Sequence, residues 1–177
     1  HKMIEEMMIL ANVAAAQTLE KADMPVMYRV HEPPAAEKVV ALHDFLKSAH
    51  LNGIPKTSPS GKDFNDLLEN VAQTPKARMI NELVLRTQSQ ARYSPENLGH
   101  YGLALEKYAH FTSPIRRYAD LLVHRALITG LKLGEGGLTN GNDFEDLGEH
   151  ISATERRAQA AEREAEERYL AAYLADR

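Results

Sequence analysis

Residues 93–127 read "YSPENLGHYGLALEKYAHFTSPIRRYADLLVHRAL", and within them a helical pattern stops and then resumes. Up to Ser113 the apolar residues keep no 3.6-residue period, and Pro95, Gly99 and Gly102 punctuate the chain. That pattern predicts a loop followed by a short hairpin, with strands near 100–105 and 108–112. From Pro114 the helical period returns and predicts a helix to about Leu131. Pro114 would take the first helical position, where its missing N–H costs nothing, with Thr112 or Ser113 available as cap. Short extended pieces set among helices make the expected fold class α+β, predominantly helical, with about six helices and a few short strands.

The flanks carry most of those helices. Residues 3–19 place apolar side chains at 4, 7, 8, 11, 14 and 15, a stripe that predicts a helix with that face buried. "MPVMYRV" at 24–30 is short and β-branched, and reads as a strand or extended connector. A helix is expected from about Pro34, with Val39, Val40, Leu42, Phe45 and Leu46 as core residues. The breaker-rich "LNGIPKTSPSGKD" predicts a loop before a short helix over "FNDLLENVAQ". Thr74 and Pro75 look like a cap and first-turn pair for a helix through about Ala91, with Ile80, Leu83 and Val84 inward. After the flexible "GEGGLTNGND", one long charged helix is expected over 144–175. Its apolar stripe is 158, 161, 165, 169, 170 and 173, and Glu164 and Arg168 form an i,i+4 pair. No repeat or linker divides the chain, so residues 1–177 are expected to be a single domain.

Composition narrows the function classes. The chain has 177 residues, 44% hydrophobic residues and a formal net charge of −4, which suits a globular protein with a core rather than a disordered one. It has no cysteine, which excludes disulfides, thiolate metal sites and thiol nucleophiles and fits a reducing compartment. No apolar run reaches the roughly 18 residues of a membrane span, and Glu5 and Glu6 interrupt the only apolar stretch a leader could use. The expectation is a cytoplasmic protein with no membrane partner. The sequence starts with His1 and reads as a fragment of something longer. Charge is uneven: residues 76–132 hold nine Lys or Arg against four Asp or Glu, a basic middle between acidic flanks that suits a polyanion.

The corner at 112–117 is the best anion candidate. A helix start offers aligned N–H groups and the positive end of a dipole, with the backbone donors of Ile115 and Arg116 pointing outward. Arginine adds a planar fork that fits phosphate oxygens two at a time. Arg116, Asp120 and His124 fall on one helix face, so Asp120 is placed to orient Arg116. The same residues also describe an ordinary capped helix with exposed arginines, and composition does not choose between them. Other chemistries are weaker. The histidines lack metal-ligand spacing, no glycine-rich phosphate loop occurs, and Ser113 has no neighbouring base.

Residues 93–127, and above all "HFTSPIRRY", closely resemble the ribonuclease II/ribonuclease R superfamily of hydrolytic 3′→5′ exoribonucleases. "IEEMMILAN" at 4–12 and "TERRAQAAEREAEERYLAAYL" at 154–174 resemble helices of that family in the same order. The resemblance implies that the chain is the C-terminal portion of the catalytic domain. It implies that Arg116 contacts the scissile phosphate and stabilises developing charge, and that Glu162 lines the catalytic channel near the RNA 3′ end. One of Glu5 and Glu6 would read the ribose, and a 2′-hydroxyl contact would favour RNA over DNA. Ser113, Arg117 and Tyr118 complete the RNA-facing set, while Asp120, His124 and Arg125 are expected to hold the helix.

The departures from the family pattern are as informative. The family's aspartate cluster, which holds two magnesium ions, has no counterpart in these residues, so no metal ligand is expected among them. The base-stacking aromatic residues and the OB-type RNA-binding domains are missing too. The expected function is that of a fragment of a processive exoribonuclease that releases nucleoside 5′-monophosphates from single-stranded RNA 3′ ends. Mg2+, the rest of the catalytic domain and the OB-type domains would belong to the complete enzyme, and the chain alone would be inactive. Two other classes remain compatible with the residues: a stand-alone, non-catalytic RNA-binding module, and a helical protein-interaction domain using Tyr169, Leu170 and Tyr173.

Overall fold

Helix-forming residues dominate the chain, and the computed structural model, which describes residues 1–51, 54–55, 57–139, 141 and 143–175, follows them. Its elements are α1 (Lys2–Lys21), β1 (Tyr28–Val30), α2 (Ala36–Ser48), α3 (Gly61–Val71), α4 (Ala77–Thr87), β2 (Arg92–Ser94), a 3₁₀ turn (Tyr101–Leu103), α5 (Tyr118–Leu131) and α6 (Phe144–Ala175). The fold class is α+β and mainly helical, as the sequence predicts. The loops expected at 51–63 and 134–143 include residues 52, 53, 56, 140 and 142, which lie outside the described residues. The chain forms two compact units, one of residues 1–29, 92–97 and 109–177, the other of residues 30–91 and 98–108.

In the first unit α1 packs against α5. Ala16 and Leu19 of α1 and Ala119, Leu122, Val123 and Ala126 of α5 are fully buried, and the alanines keep side chains small where helices meet. The buried face of α1 is not the stripe expected from the sequence. Asn12, Ala15, Ala16 and Leu19 face inward, whereas Ile4, Met7 and Met8 are exposed. Periodicity finds an apolar face, but only a neighbour buries it, and none of the described residues covers this end of α1.

The long α6 rests on β2 through its first turns. Asp143 Oδ1 accepts the N–H groups of Glu145 (2.9 Å) and Asp146 (3.3 Å) and caps the helix. Phe144, Gly148 and Ser152 form its buried edge. A Cβ on Gly148 would stand 3.0 Å from the Tyr93 carbonyl oxygen and 3.5 Å from Met27 Sδ, so this glycine sets the helix-to-strand distance. From Arg156 onward α6 is exposed, including every position of the stripe at 158, 161, 165, 169, 170 and 173. The expected pair of Arg168 with Glu164 is present. Gly148→Leu should lower stability by about 1–3 kcal/mol through overpacking, read as a fall in thermal midpoint. Gly61→Leu, at a site with nothing within 4 Å, should leave the midpoint nearly in place.

The second unit buries Val39, Leu42 and Leu46 of α2 with Phe64, Leu67 and Val71 of α3 and Ile80 and Val84 of α4. Val40 lies off that face and is exposed, while Phe45 and Leu83 pack at its edge. Ser60 starts α3 with a reciprocal capping box to Asp63. Thr74 does not cap α4. Its hydroxyl donates to the Val71 carbonyl at 2.8 Å, closing α3 instead, and α4 starts after Lys76 and ends at Thr87. The chain leaves α4 there because Gln88 is extended and the Ser89 carbonyl bonds His31 Nε2 at 2.8 Å.

The hairpin expected at 100–112 does not form. Gly99 and Tyr101 join His31 instead: His31 N–H donates to the Gly99 carbonyl and Tyr101 N–H to the His31 carbonyl, while His100 and Leu105 close a short antiparallel bridge of their own. Ala104 takes a left-handed conformation after the 3₁₀ turn, which bends the segment out of strand geometry. Gly102 is required at the turn, because a Cβ there would lie 2.8 Å from His31 Nδ1, the atom that accepts the Gly102 N–H.

Candidate functional site

The helix expected from Pro114 starts four residues later, and this reshapes the anion corner. Pro114, Ile115 and Arg116 form a turn, Arg117 is the N-cap and α5 opens at Tyr118. The N–H groups of Arg116 and Arg117 bond back to the Ser113 carbonyl at 3.3 and 3.2 Å, so Arg116's backbone donor is not free for a ligand. Neither Thr112 nor Ser113 caps the helix. The carboxylate of Asp120, in the first turn of α5 and fully buried, accepts the Ser113 N–H at 2.8 Å. It also accepts Nε and Nη2 of Arg117, each at 2.8 Å. The helix start therefore already holds an anion of its own, in the position where the dipole favours one. The Asp120 carboxylate bonds Arg117, three residues before it, and makes no direct contact with Arg116.

Arg116 is left on the crest. It is exposed, beside Ile115 at 97% exposure, and no described residue pairs with its guanidinium. The crest forms one wall of a groove of about 690 Å³, together with Tyr93, Arg117 and Tyr118, and α6 forms the other with His150, Glu155, Gln159 and Glu162 among its lining residues. Arg116 and Glu162 thus line one cavity although they come from different elements, the turn before α5 and the middle of α6. Tyr118 is 44% exposed, so its ring is open to a ligand in the groove. Glu5 and Glu6 are exposed on α1 and are not among the groove's lining residues, and neither is Ser113, whose N–H is taken by Asp120.

Residues with no local signal hold the second wall in place. Arg29 Nη1 donates to Glu155 Oε2 at 2.7 Å, and the two side chains are 13% and 29% exposed. The Arg29 guanidinium also lies 4.6 Å above the Tyr93 ring, a cation–π contact. Tyr93 N–H donates to Ser152 Oγ at 2.9 Å, tying β2 to α6. Burial is the main cause that pushes the Tyr93 phenol up to about 12, with Glu155 adding to it and Arg29 opposing. The phenol therefore stays protonated at neutral pH, and its oxygen shares a hydrogen bond with His110 Nδ1 at 2.9 Å. Arg29 and Glu155 are 126 residues apart, and nothing in either neighbourhood marks the pairing. The isolated glycine inside α6 was the one available signal of close approach.

With Glu155 engaged by Arg29 and Asp120 by Arg117, the charges in the groove left without a partner among the described residues are those of Arg116 and Glu162. Such a groove can draw a phosphate to one wall and repel it from the other, which orients a polyanion rather than merely attracting it. No group of three or more His, Asp or Glu side chains among the described residues is arranged to hold a metal ion. Among them, too, no helix is long and apolar enough to cross a membrane.

Residues 1–132 match the family model described as "RNB domain". The chain is 43% identical over 187 residues to ribonuclease R of Vibrio cholerae, covering 99% of this chain and 23% of that protein. It is 43% identical over 174 residues to ribonuclease R of Escherichia coli, covering 93% of this chain and 21% of that one. Among solved structures it is similar to Mycoplasma genitalium RNase R in complex with ribose-methylated single-stranded RNA. That match has a TM-score of 0.81 and 29% identity over 93% of this chain and 27% of the other. The chain thus spans about a quarter of the length of the proteins it resembles.

Proposed function

Since the chain belongs to the RNB-domain family, we propose that it is the part of a hydrolytic, processive 3′→5′ exoribonuclease that grips the RNA 3′ end at the bond to be cut, the products being nucleoside 5′-monophosphates. One observation carries the reading: Arg116 and Glu162 line the same groove while the neighbouring charges are tied up in internal pairs. Arg116 holds the scissile phosphate and gains as negative charge develops on its oxygens, where a fixed guanidinium is worth most in a site shielded from water. Glu162 lies on the opposite wall and sets the path of the 3′-terminal nucleotide, its carboxylate accepting from sugar hydroxyls and repelling a misplaced phosphate. Tyr118 offers a ring to the same strand. Glu5 or Glu6 reads a ribose farther along.

The aspartates that would hold Mg2+ belong to a part of the enzyme outside these residues. The exposed apolar side chains Met3, Ile4, Met7 and Leu10 of α1 and Tyr169, Leu170 and Leu174 of α6 fit coverage by the rest of the catalytic domain and its OB-type RNA-binding domains.

An oligoribonucleotide carrying 4-thiouridine at its 3′ end tests the reading in the full-length protein. Ultraviolet cross-links mapped by mass spectrometry should fall on the groove, at Tyr118, His150 or Gln159. Cross-links confined to residues outside the groove would remove this site from the path of the RNA.

A further inference from the structure

We propose that Asp120, seconded by Asn12, is a positioning residue for Arg116, an inference that rests on the reading of Arg116 given above. Arg116 stands on an arch of three residues, Pro114, Ile115 and Arg116, whose feet are Ser113 and Arg117. One carboxylate pins both feet. Asp120 Oδ1 accepts the Ser113 N–H and Arg117 Nη2, and Oδ2 accepts Arg117 Nε, all at 2.8 Å. An acidic residue in the first turn of a helix ordinarily serves the dipole or the helix's own N–H groups. Asp120 instead reaches back seven residues to a donor outside the helix, and it does so fully buried.

The chain leading into the arch is tied in the same way. Asn12, 3% exposed on α1, accepts the N–H groups of Phe111 and Thr112 with one oxygen, at 2.9 and 3.2 Å. His124 Nε2 lies 2.9 Å from the Phe111 carbonyl oxygen, and its ring stacks on Phe111 with centroids 4.4 Å apart. The N–H groups of three consecutive residues, 111 to 113, are thus held by two buried side chains from two helices, and Pro114 restricts the next φ. The crest above them is wholly exposed. A rigid base under an exposed crest is what a phosphate-binding arginine needs, since backbone fixed before binding need not be ordered during it. Asp120 touches no ligand, and its effect passes through the placement of Arg116.

The test is a double-substitution cycle in the full-length protein, read by single-turnover cleavage of a labelled oligoribonucleotide and, separately, by RNA binding. Asp120→Asn keeps the shape of the side chain but sets an amide N–H2 against one of the donors it now accepts. It should slow cleavage by about 10²-fold, the scale of a misplacement of roughly 1 Å, with much less change in RNA affinity. In an Arg116→Ala background the same substitution should change the rate by less than about threefold, because groups that act as a unit are not additive. If Asp120→Asn does not fold, Asn12→Ala enters the same cycle with the same expected non-additivity. An equal loss in both backgrounds overturns the proposal, since the residue then acts independently of Arg116. No loss in the parent background overturns it as well. If Arg116→Ala is itself as fast as the parent, the reading of Arg116 fails first and takes this proposal with it.

Discussion

In the full-length protein, Arg116→Ala should slow the chemical step by about 10²–10³-fold, the usual cost of removing one charge-stabilising donor, while RNA affinity falls by only about tenfold or less. The split follows from the structure. A long RNA is held by many phosphate contacts, so the loss of one is a small share of binding. Arg116, however, is the cation of the groove that has no partner among the described residues, and no nearby arginine can replace it, because both Arg117 bonds to Asp120 would have to break. Arg116→Lys should recover only part of the rate, since an ammonium supplies the charge but not the paired donors. Single-turnover rates at saturating enzyme, compared with dissociation constants measured under conditions that block cleavage, separate the two effects. Equal losses in rate and affinity would mean that Arg116 binds the strand without acting on the bond.

The second large effect is one of all or none. The 177-residue chain by itself should release no nucleoside 5′-monophosphate from a labelled oligoribonucleotide, with or without added Mg2+. Phosphodiester hydrolysis of this type needs an activated water and a stabilised leaving oxygen, and no group of three or more His, Asp or Glu side chains among the described residues is arranged to hold the metal ions that supply them. Glu155 is occupied by Arg29, and the phenol of Tyr93 is held protonated by its burial. A single turnover that survives repurification and disappears with Arg116→Ala would overturn this expectation. A turnover that does not depend on Arg116 would indicate a contaminating nuclease.

Much of the secondary structure was legible because its causes are local. α6 spans 144–175 as its composition predicts, and α1 lies within two residues of its expected ends. What local pattern misread were boundaries set by distant partners. Pro114 is a sound first helical residue, yet the helix waits for Tyr118 because Asp120 draws Ser113 and Arg117 together and closes a turn first. The hairpin at 100–112 has acceptable strand residues, but His100 pairs with Leu105 and Tyr101 with His31, while Ala109 bridges Tyr28, so 100–105 and 108–112 take other partners. Thr74 is a good cap whose hydroxyl is used by the preceding helix.

The site divides along the same line. A specific string, "HFTSPIRRY", pointed to Arg116 and, through the family, to a phosphate and to Glu162. Nothing local distinguishes Arg116 from Arg117, since adjacent arginines have the same chemistry. Tertiary structure separates them by giving one a buried carboxylate and leaving the other on an exposed crest. Nor could any spacing rule find Asn12, Arg29 or Glu155, which act across about 100 residues or more.

By itself, then, the sequence determined which segments are helical, that the chain is α+β, which family it resembles and that no aspartate cluster accompanies the arginines, because each of these depends on residue identity and short-range spacing. Only the tertiary structure decided which face of α1 is buried, which arginine is tied to a buried carboxylate, and that Arg29 and Glu155 brace the groove. Burial and pairing are properties of neighbours, and in this chain the deciding neighbours are brought together by packing of α6 on β2 and of α1 on α5.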